Sequence, residues 1–193
     1  MIADSPELLT AAWLSDTLGV TVTDVRATPV GTGQMSDSLR LELTFDGDAP
    51  EGTPSTVIAK IPAADPTSRA TGLSLRSYER EVRFYQELAP SLPMRTPKVH
   101  HSDVDVTTGS FVLLLEDLRP ATQGDQLAGA TPDQAAVAVA ELVKLHAPRW
   151  GDPTLAQIDW LAGDVETSRA TMAQLMPMLW SGFTARYAAR LEP

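Results

Sequence analysis

The 193-residue chain contains no cysteine, which excludes disulfides, a thiol nucleophile and a thiolate metal site. It also contains no asparagine. Its three histidines, His100, His101 and His146, are too few and too badly spaced for a three-histidine zinc site. No apolar run approaches the length of about 18 residues that a membrane span needs. The N-terminus, Met1 to Glu7, lacks the basic stretch of a secretory leader. Basic residues are scarce as well: 15 Lys and Arg stand against 25 Asp and Glu, for a net charge of −10. That balance disfavours non-specific nucleic-acid and anionic-membrane binding, while a local basic spot could still hold a phosphorylated ligand. A soluble, cytoplasmic protein with no nucleic-acid or membrane partner is the expectation.

The patterning of what is present predicts two units. Ser5 to about Leu18 has the apolar spacing of a short amphipathic helix, with Gly19 as its stop. Val20 to Val30 is rich in Val and Thr and reads as a strand entering a Gly-rich turn. Ser38 to Phe45 alternates apolar and polar residues with period two, and Thr56 to Ile61 is a further strand. Pro62 to Gly72 is expected to be loop and Arg76 to Ala89 helix. Lys98 to Val106 and Ser110 to Glu116 form a hairpin around Thr107-Thr108-Gly109. The sum is an α+β unit over residues 1–118, a five-stranded antiparallel sheet with one helix. Residues 119–193 read as a linker followed by helices. The first of these starts at Thr131-Pro132-Asp133-Gln134, with cap, first-position proline and capping-box glutamine in place. A last helical stretch, Asp164 to Leu191, is expected to break at Pro177.

Three features point to phosphate chemistry. The turn Gly31-Thr32-Gly33-Gln34-Met35-Ser36 is followed by a strand pattern, whereas a dinucleotide or Walker loop opens into a helix. A dinucleotide oxidoreductase is therefore disfavoured. A glycine hairpin can be an ordinary turn, or it can bring backbone amides close to a phosphate. Next, Lys60 interrupts an apolar strand. Val57, Ala59 and Ile61 share one face and Ile58 and Lys60 the other, so the lysine must snorkel or meet an anion. On the following helix Tyr78, Val82 and Tyr85 form an apolar stripe. Glu81 lies within it, while Glu79, Arg80, Arg83 and Glu87 face away. A carboxylate turned to the core needs a partner, and Lys60 is the candidate.

These stretches, with Tyr78-Glu79-Arg80-Glu81-Val82-Arg83-Phe84-Tyr85, Val112-Leu113-Leu114-Leu115-Glu116-Asp117-Leu118 and Leu145-His146-Ala147-Pro148-Arg149-Trp150, resemble the aminoglycoside phosphotransferase and choline kinase superfamily, its ecdysteroid-kinase-like branch most closely. The resemblance implies a protein kinase-like N-lobe followed by the first helices of an incomplete helical C-lobe. It implies ATP or GTP as nucleotide, held by Gly31, Thr32, Gly33, Gln34, Met35 and Ser36, by Lys60 and Glu81, and at the base by Glu116, Asp117 and Leu118. A small-molecule hydroxyl would be the acceptor in the intact enzyme, and Mg²⁺ is expected only with the rest of the C-lobe.

One part is missing. Kinase-like transfer uses an H-x-D-x-x-x-x-N loop and a later metal-binding aspartate. Without asparagine that loop cannot be present, and the only H-x-D, His101-Ser102-Asp103, precedes Val112 to Leu118, the stretch that resembles the family's hinge. Ile158-Asp159-Trp160 imitates the aspartate motif too early, so Trp160 and Leu161 are expected in the core and Asp159 in solvent. The final helix carries Trp180, Phe183 and Tyr187, a surface that must be buried against something. The chain is thus expected to be the N-terminal portion of a larger phosphotransferase and inactive alone. The alternative is a non-catalytic module of the same fold that self-associates through its C-terminal helix.

Overall fold

Thr10 begins the first helix by accepting the Trp13 amide on its side chain at 3.2 Å, and Gly19 ends it in the left-handed region with φ 69°. This helix, α1 (Ala11–Leu18), is shorter than expected. Pro6–Leu8 forms a separate 3₁₀ turn, because Thr10 is extended and caps a new helix. The computed structural model describes residues 1–31, 33–125, 127–163 and 165–190, with Ala162 in its backbone alone. The chain divides into two compact units, Met1–Gly151 and Asp152–Pro193.

The first unit is built on five antiparallel strands: β1 (Val22–Pro29), β2 (Ser36–Phe45), β3 (Thr56–Pro62), β4 (Val99–Asp105) and β5 (Ser110–Glu116). Their order is β1-β2-β3-β5-β4, so the chain crosses over once, between β3 and β4. Period-two alternation gives the sheet two working faces. Leu39, Leu41 and Leu43 of β2, with Val57, Ala59 and Ile61 of β3, turn to one face, where Leu14 of α1 packs. The other face carries Phe111, Leu113 and Leu115 beneath α3 (Ser77–Arg83), which contributes Tyr78 and Val82. Strand β5 feeds both cores, which is why Phe111 to Leu115 is an unbroken apolar run. The fold is α+β, as expected.

Residues 62–72 depart from the expected loop. Helix α2 (Pro66–Ser74) starts there, with Asp65 Oδ1 accepting the Ser68 amide at 2.7 Å and Pro66 at its first position. The Asp-Pro start was present in the sequence; weak amphipathicity and Gly72 concealed the helix. The expected helix Arg76 to Ala89 is α3, then a π turn over Phe84–Leu88 and a 3₁₀ turn over Ala89–Ser91. Helix α4 (Pro132–His146) has the expected capping box, Thr131 and Gln134 each accepting the other's amide.

In the second unit, α5 (Asp159–Ala162) precedes α6 (Val165–Tyr187), which runs through Pro177 without the expected break. Trp160 is buried, whereas Leu161, expected in the core, is exposed. Asp159 is exposed as expected. Along α6, Trp180 stacks on Phe183 at 5.8 Å and Phe183 leans on Tyr187 at 5.0 Å, all three exposed. Among the described residues no helix is long and apolar enough to cross a membrane.

Candidate functional site

A cleft of about 470 Å³ opens on the α3 face of the sheet. Val30, Ile58 and Leu115 give it an apolar wall, and Ser38, Arg40 and Lys60 give it polar groups. Gly31 and Gly33 border one end; Glu116, Asp117 and Leu118 border the other.

The glycine turn is a hairpin connection closed at its base by the Val30 amide donating to Ser38 O at 2.8 Å. Gly31 has φ 74°, a conformation that strains other residues. Gly33 is required for a different reason: a Cβ there would lie 2.1 Å from the Ser36 carbonyl oxygen. The far end of the turn is tied down from below, since the Tyr78 hydroxyl donates to Met35 O at 2.5 Å. Tyr78 is buried and stacks on Phe111 at 4.7 Å; its burial raises the phenol above its ordinary range, so it stays a donor. Ser36 lines the cleft. Gln34 is exposed outside it, and Met35 contributes through its carbonyl. Thr32 lies outside the described residues.

Lys60 and Glu81 meet as expected, Nζ to Oε1 at 2.5 Å, with Lys60 lining the cleft and Glu81 behind it. The surroundings differ from the expectation in one respect. Glu81 is 31% exposed, so the pair is half-wetted, and the acid that α3 buries is Glu79, at 8%. Glu79 was expected to face solvent. It instead accepts from Arg76 at 2.8 Å and Arg83 at 3.1 Å, and it borders a small cavity with Gly72 and Leu73 of α2. The unforeseen helix is what covers that side of α3.

At the opposite end, the Glu116 amide donates to Lys98 O at 2.8 Å, so that amide belongs to the sheet. The Glu116 carboxylate accepts from Arg95 at 3.3 Å and from the Lys98 amide at 3.1 Å. Leu118 O accepts the Ala121 amide at 2.9 Å, while the Leu118 amide meets no acceptor among the described residues. Asp117 is the most enclosed charge of the cleft, its side chain 4% exposed. Arg40 Nε and Arg119 Nε each donate to it at 2.8 Å. Burial alone would raise its carboxyl, but hydrogen bonds from Arg40, the Arg119 amide and Thr56 outweigh that and bring it down to about 2.

Arg40 and Ser38 were missed by the sequence reading. The signal was there: they occupy the face of β2 opposite Leu39 and Leu41, and Ser38 lies in register with Lys60. The His101-Ser102-Asp103 triplet sits on β4, where His101 meets Trp13 edge-on at 5.6 Å and Ser102 accepts from Gln86. It does not line the cleft. Among the described residues no group of three His, Asp or Glu side chains could hold a metal ion. No protein-family model and no curated protein matches the chain.

Proposed function

We propose that the chain is the nucleotide-binding portion of an ATP- or GTP-dependent phosphotransferase acting on the hydroxyl of a small molecule, with a protein kinase-like N-lobe. The observation that carries the reading is convergence. A glycine hairpin, an ion-paired lysine and the end of β5 follow one another along the chain at separations of roughly 30 and 55 residues, yet border one cleft. The cleft volume and its division into an apolar wall and a cationic group suit a base and a phosphate chain. In this reading Glu81 orients Lys60 toward the phosphates, amides of the Gly31–Ser36 turn cover them, and the Leu118 amide meets the base edge. Mg²⁺ would accompany the nucleotide; the described residues supply no cluster of acids for it. The acceptor-activating aspartate is not assigned to any residue here, and the chain alone is expected not to turn over. A strand rather than a helix after the glycine turn argues against a dinucleotide oxidoreductase.

The test is calorimetric titration of ATP and GTP with Mg²⁺, paired with thermal melting. Lys60→Met should abolish nucleotide binding while costing about 1 kcal/mol or less of stability, because the ion pair is half-wetted. Equal loss of binding and folding would leave Lys60 a structural residue and the proposal without support. The exposed stack of Trp180, Phe183 and Tyr187 favours a second reading, a non-catalytic module that pairs through α6. Sedimentation equilibrium decides it: a stoichiometric oligomer without nucleotide binding supports that reading, and a monomer refutes it.

A further inference from the structure

Arg40 has no task in the nucleotide reading above, on which the following rests. It stands on β2 opposite Ile58, and β3 lies between β2 and β5. Its guanidinium nevertheless reaches Asp117, just past the end of β5, with Nε donating to Oδ2 at 2.8 Å and Nη2 to Oδ1 at 3.3 Å. The pair therefore bridges two interstrand spacings, roughly 9.5 Å, across the cleft face of β3 beside Ile58. Arg40, Ile58 and Val30 all line the cleft, and Asp117 and Leu118 form its edge.

Two parallel donors to one carboxylate fix the plane of a guanidinium as well as its position. Enclosure of Asp117 makes the tether rigid, and Arg119 supplies the same carboxylate with a second cation, so Asp117 stays ionised if Arg40 moves. A flat ligand whose edge meets the Leu118 amide must lie beneath the sheet, facing the roof that Arg40 and Ile58 make. We infer that Arg40 is the stacking platform for a purine base, and that Asp117 is the positioning residue that holds its guanidinium flat. Stacking of a base on a guanidinium is indifferent to which groups the base edge carries. The platform should therefore accept adenine and guanine alike, leaving any choice between them to the hinge backbone.

The experiment titrates ATP, GTP and inorganic tripolyphosphate, which has no base, into the full chain and its variants. Arg40→Ala should weaken ATP and GTP by a similar factor, roughly three- to tenfold, and leave tripolyphosphate unchanged. Arg40→Lys keeps the charge and an ion pair with Asp117 but not the flat face, so it should lose as much while folding normally. Asp117→Asn should weaken both nucleotides in the unmodified chain and have no further effect beside Arg40→Ala. Arg40→Lys binding both nucleotides normally, or tripolyphosphate weakening in parallel with them, overturns the inference alone. Failure of the unmodified chain to bind either nucleotide overturns the proposed function and this inference with it.

Discussion

Gly72 of α2 packs against Tyr78, the residue that holds the Met35 carbonyl of the glycine turn, and replacing it with alanine probes the scaffold of the cleft. An alanine Cβ at that position would sit 2.3 Å from Tyr78 Cζ, 2.5 Å from its hydroxyl and 2.7 Å from Cε1. Such contacts are cheap only against a side chain that can swing away. Tyr78 is held by its stack on Phe111, by enclosure and by its bond to Met35 O. Two terms of opposite sign compete. Alanine in place of a helical glycine favours the fold by about 1 kcal/mol. Overpacking costs about 1–3 kcal/mol, and losing the Tyr78 to Met35 hydrogen bond costs about 0.5–1.5 kcal/mol.

The clash should win, with Gly72→Ala destabilising by about 1–3 kcal/mol, or roughly 3 to 10 °C in melting temperature for a chain of this size. The decisive assay is a double-mutant cycle in urea with Tyr78→Leu, which keeps apolar bulk but removes the three atoms in conflict. In that background the propensity gain should stand alone, and Gly72→Ala should stabilise by up to about 1 kcal/mol. The same cost in both backgrounds would refute the reasoning, as would a neutral single variant.

Other expectations follow from the same geometry. Gly33→Ala, whose Cβ meets a backbone oxygen rather than a movable side chain, should open the exposed turn and lower nucleotide affinity at least about tenfold with little change in melting temperature; titration and melting together check it. Glu79→Gln should cost about 1–3 kcal/mol, because it weakens charge-assisted bonds to two arginines in an enclosed site. Glu81→Gln should cost under about 1 kcal/mol, and chemical denaturation that reverses this order would return Glu81 to the core role first expected of it. Acid should weaken the fold in two steps. His100 and His101 are held below 6.5 by burial, so the unfolded chain takes protons first and stability falls as pH drops below that value. Asp117, at about 2 instead of 3.8, adds stability that is complete above about pH 4 and fades toward pH 2, on the order of 2 kcal/mol. Denaturation curves across pH 2–8 should show both steps, and His100→Gln with His101→Gln should remove the first.

The sheet was legible because β2 and β3 carry a period of two, Leu39, Leu41 and Leu43 on one face of β2 and Val57, Ala59 and Ile61 on one face of β3, while β5 stands out as an apolar run after the Thr107-Thr108-Gly109 turn. Lys60 was legible for the converse reason, as the charge that breaks an apolar strand. The failures share a cause in tertiary contact. Glu79 was expected to face away from the stripe of α3; it is buried because α2 covers that side of the helix and two arginines meet it there. Helix α2 itself escaped notice because Gly72, a helix-weakening residue, is present for Tyr78 rather than for the helix. Arg40 was passed over as the polar half of an alternating strand, since its partner lies 77 residues away.

These residues form one mechanical path. Gly72 leaves room for the Tyr78 ring, Tyr78 fixes the Met35 carbonyl, and Met35 ends the turn that Gly33 closes. The turn is thus braced from α3, through the space that Gly72 of α2 leaves for Tyr78, while the far end of the cleft is braced by Arg40 and Asp117 across β3. A cleft fixed at both ends by contacts long in sequence should lose ligand affinity before it loses its fold when either brace is removed. Tyr78→Phe tests that ordering at the turn end. It deletes one hydroxyl, so it should cost about 1 kcal/mol of stability, yet it frees the Met35 carbonyl and should weaken nucleotide and tripolyphosphate together. Weakening of the nucleotide alone would mean that the turn serves the base rather than the phosphates.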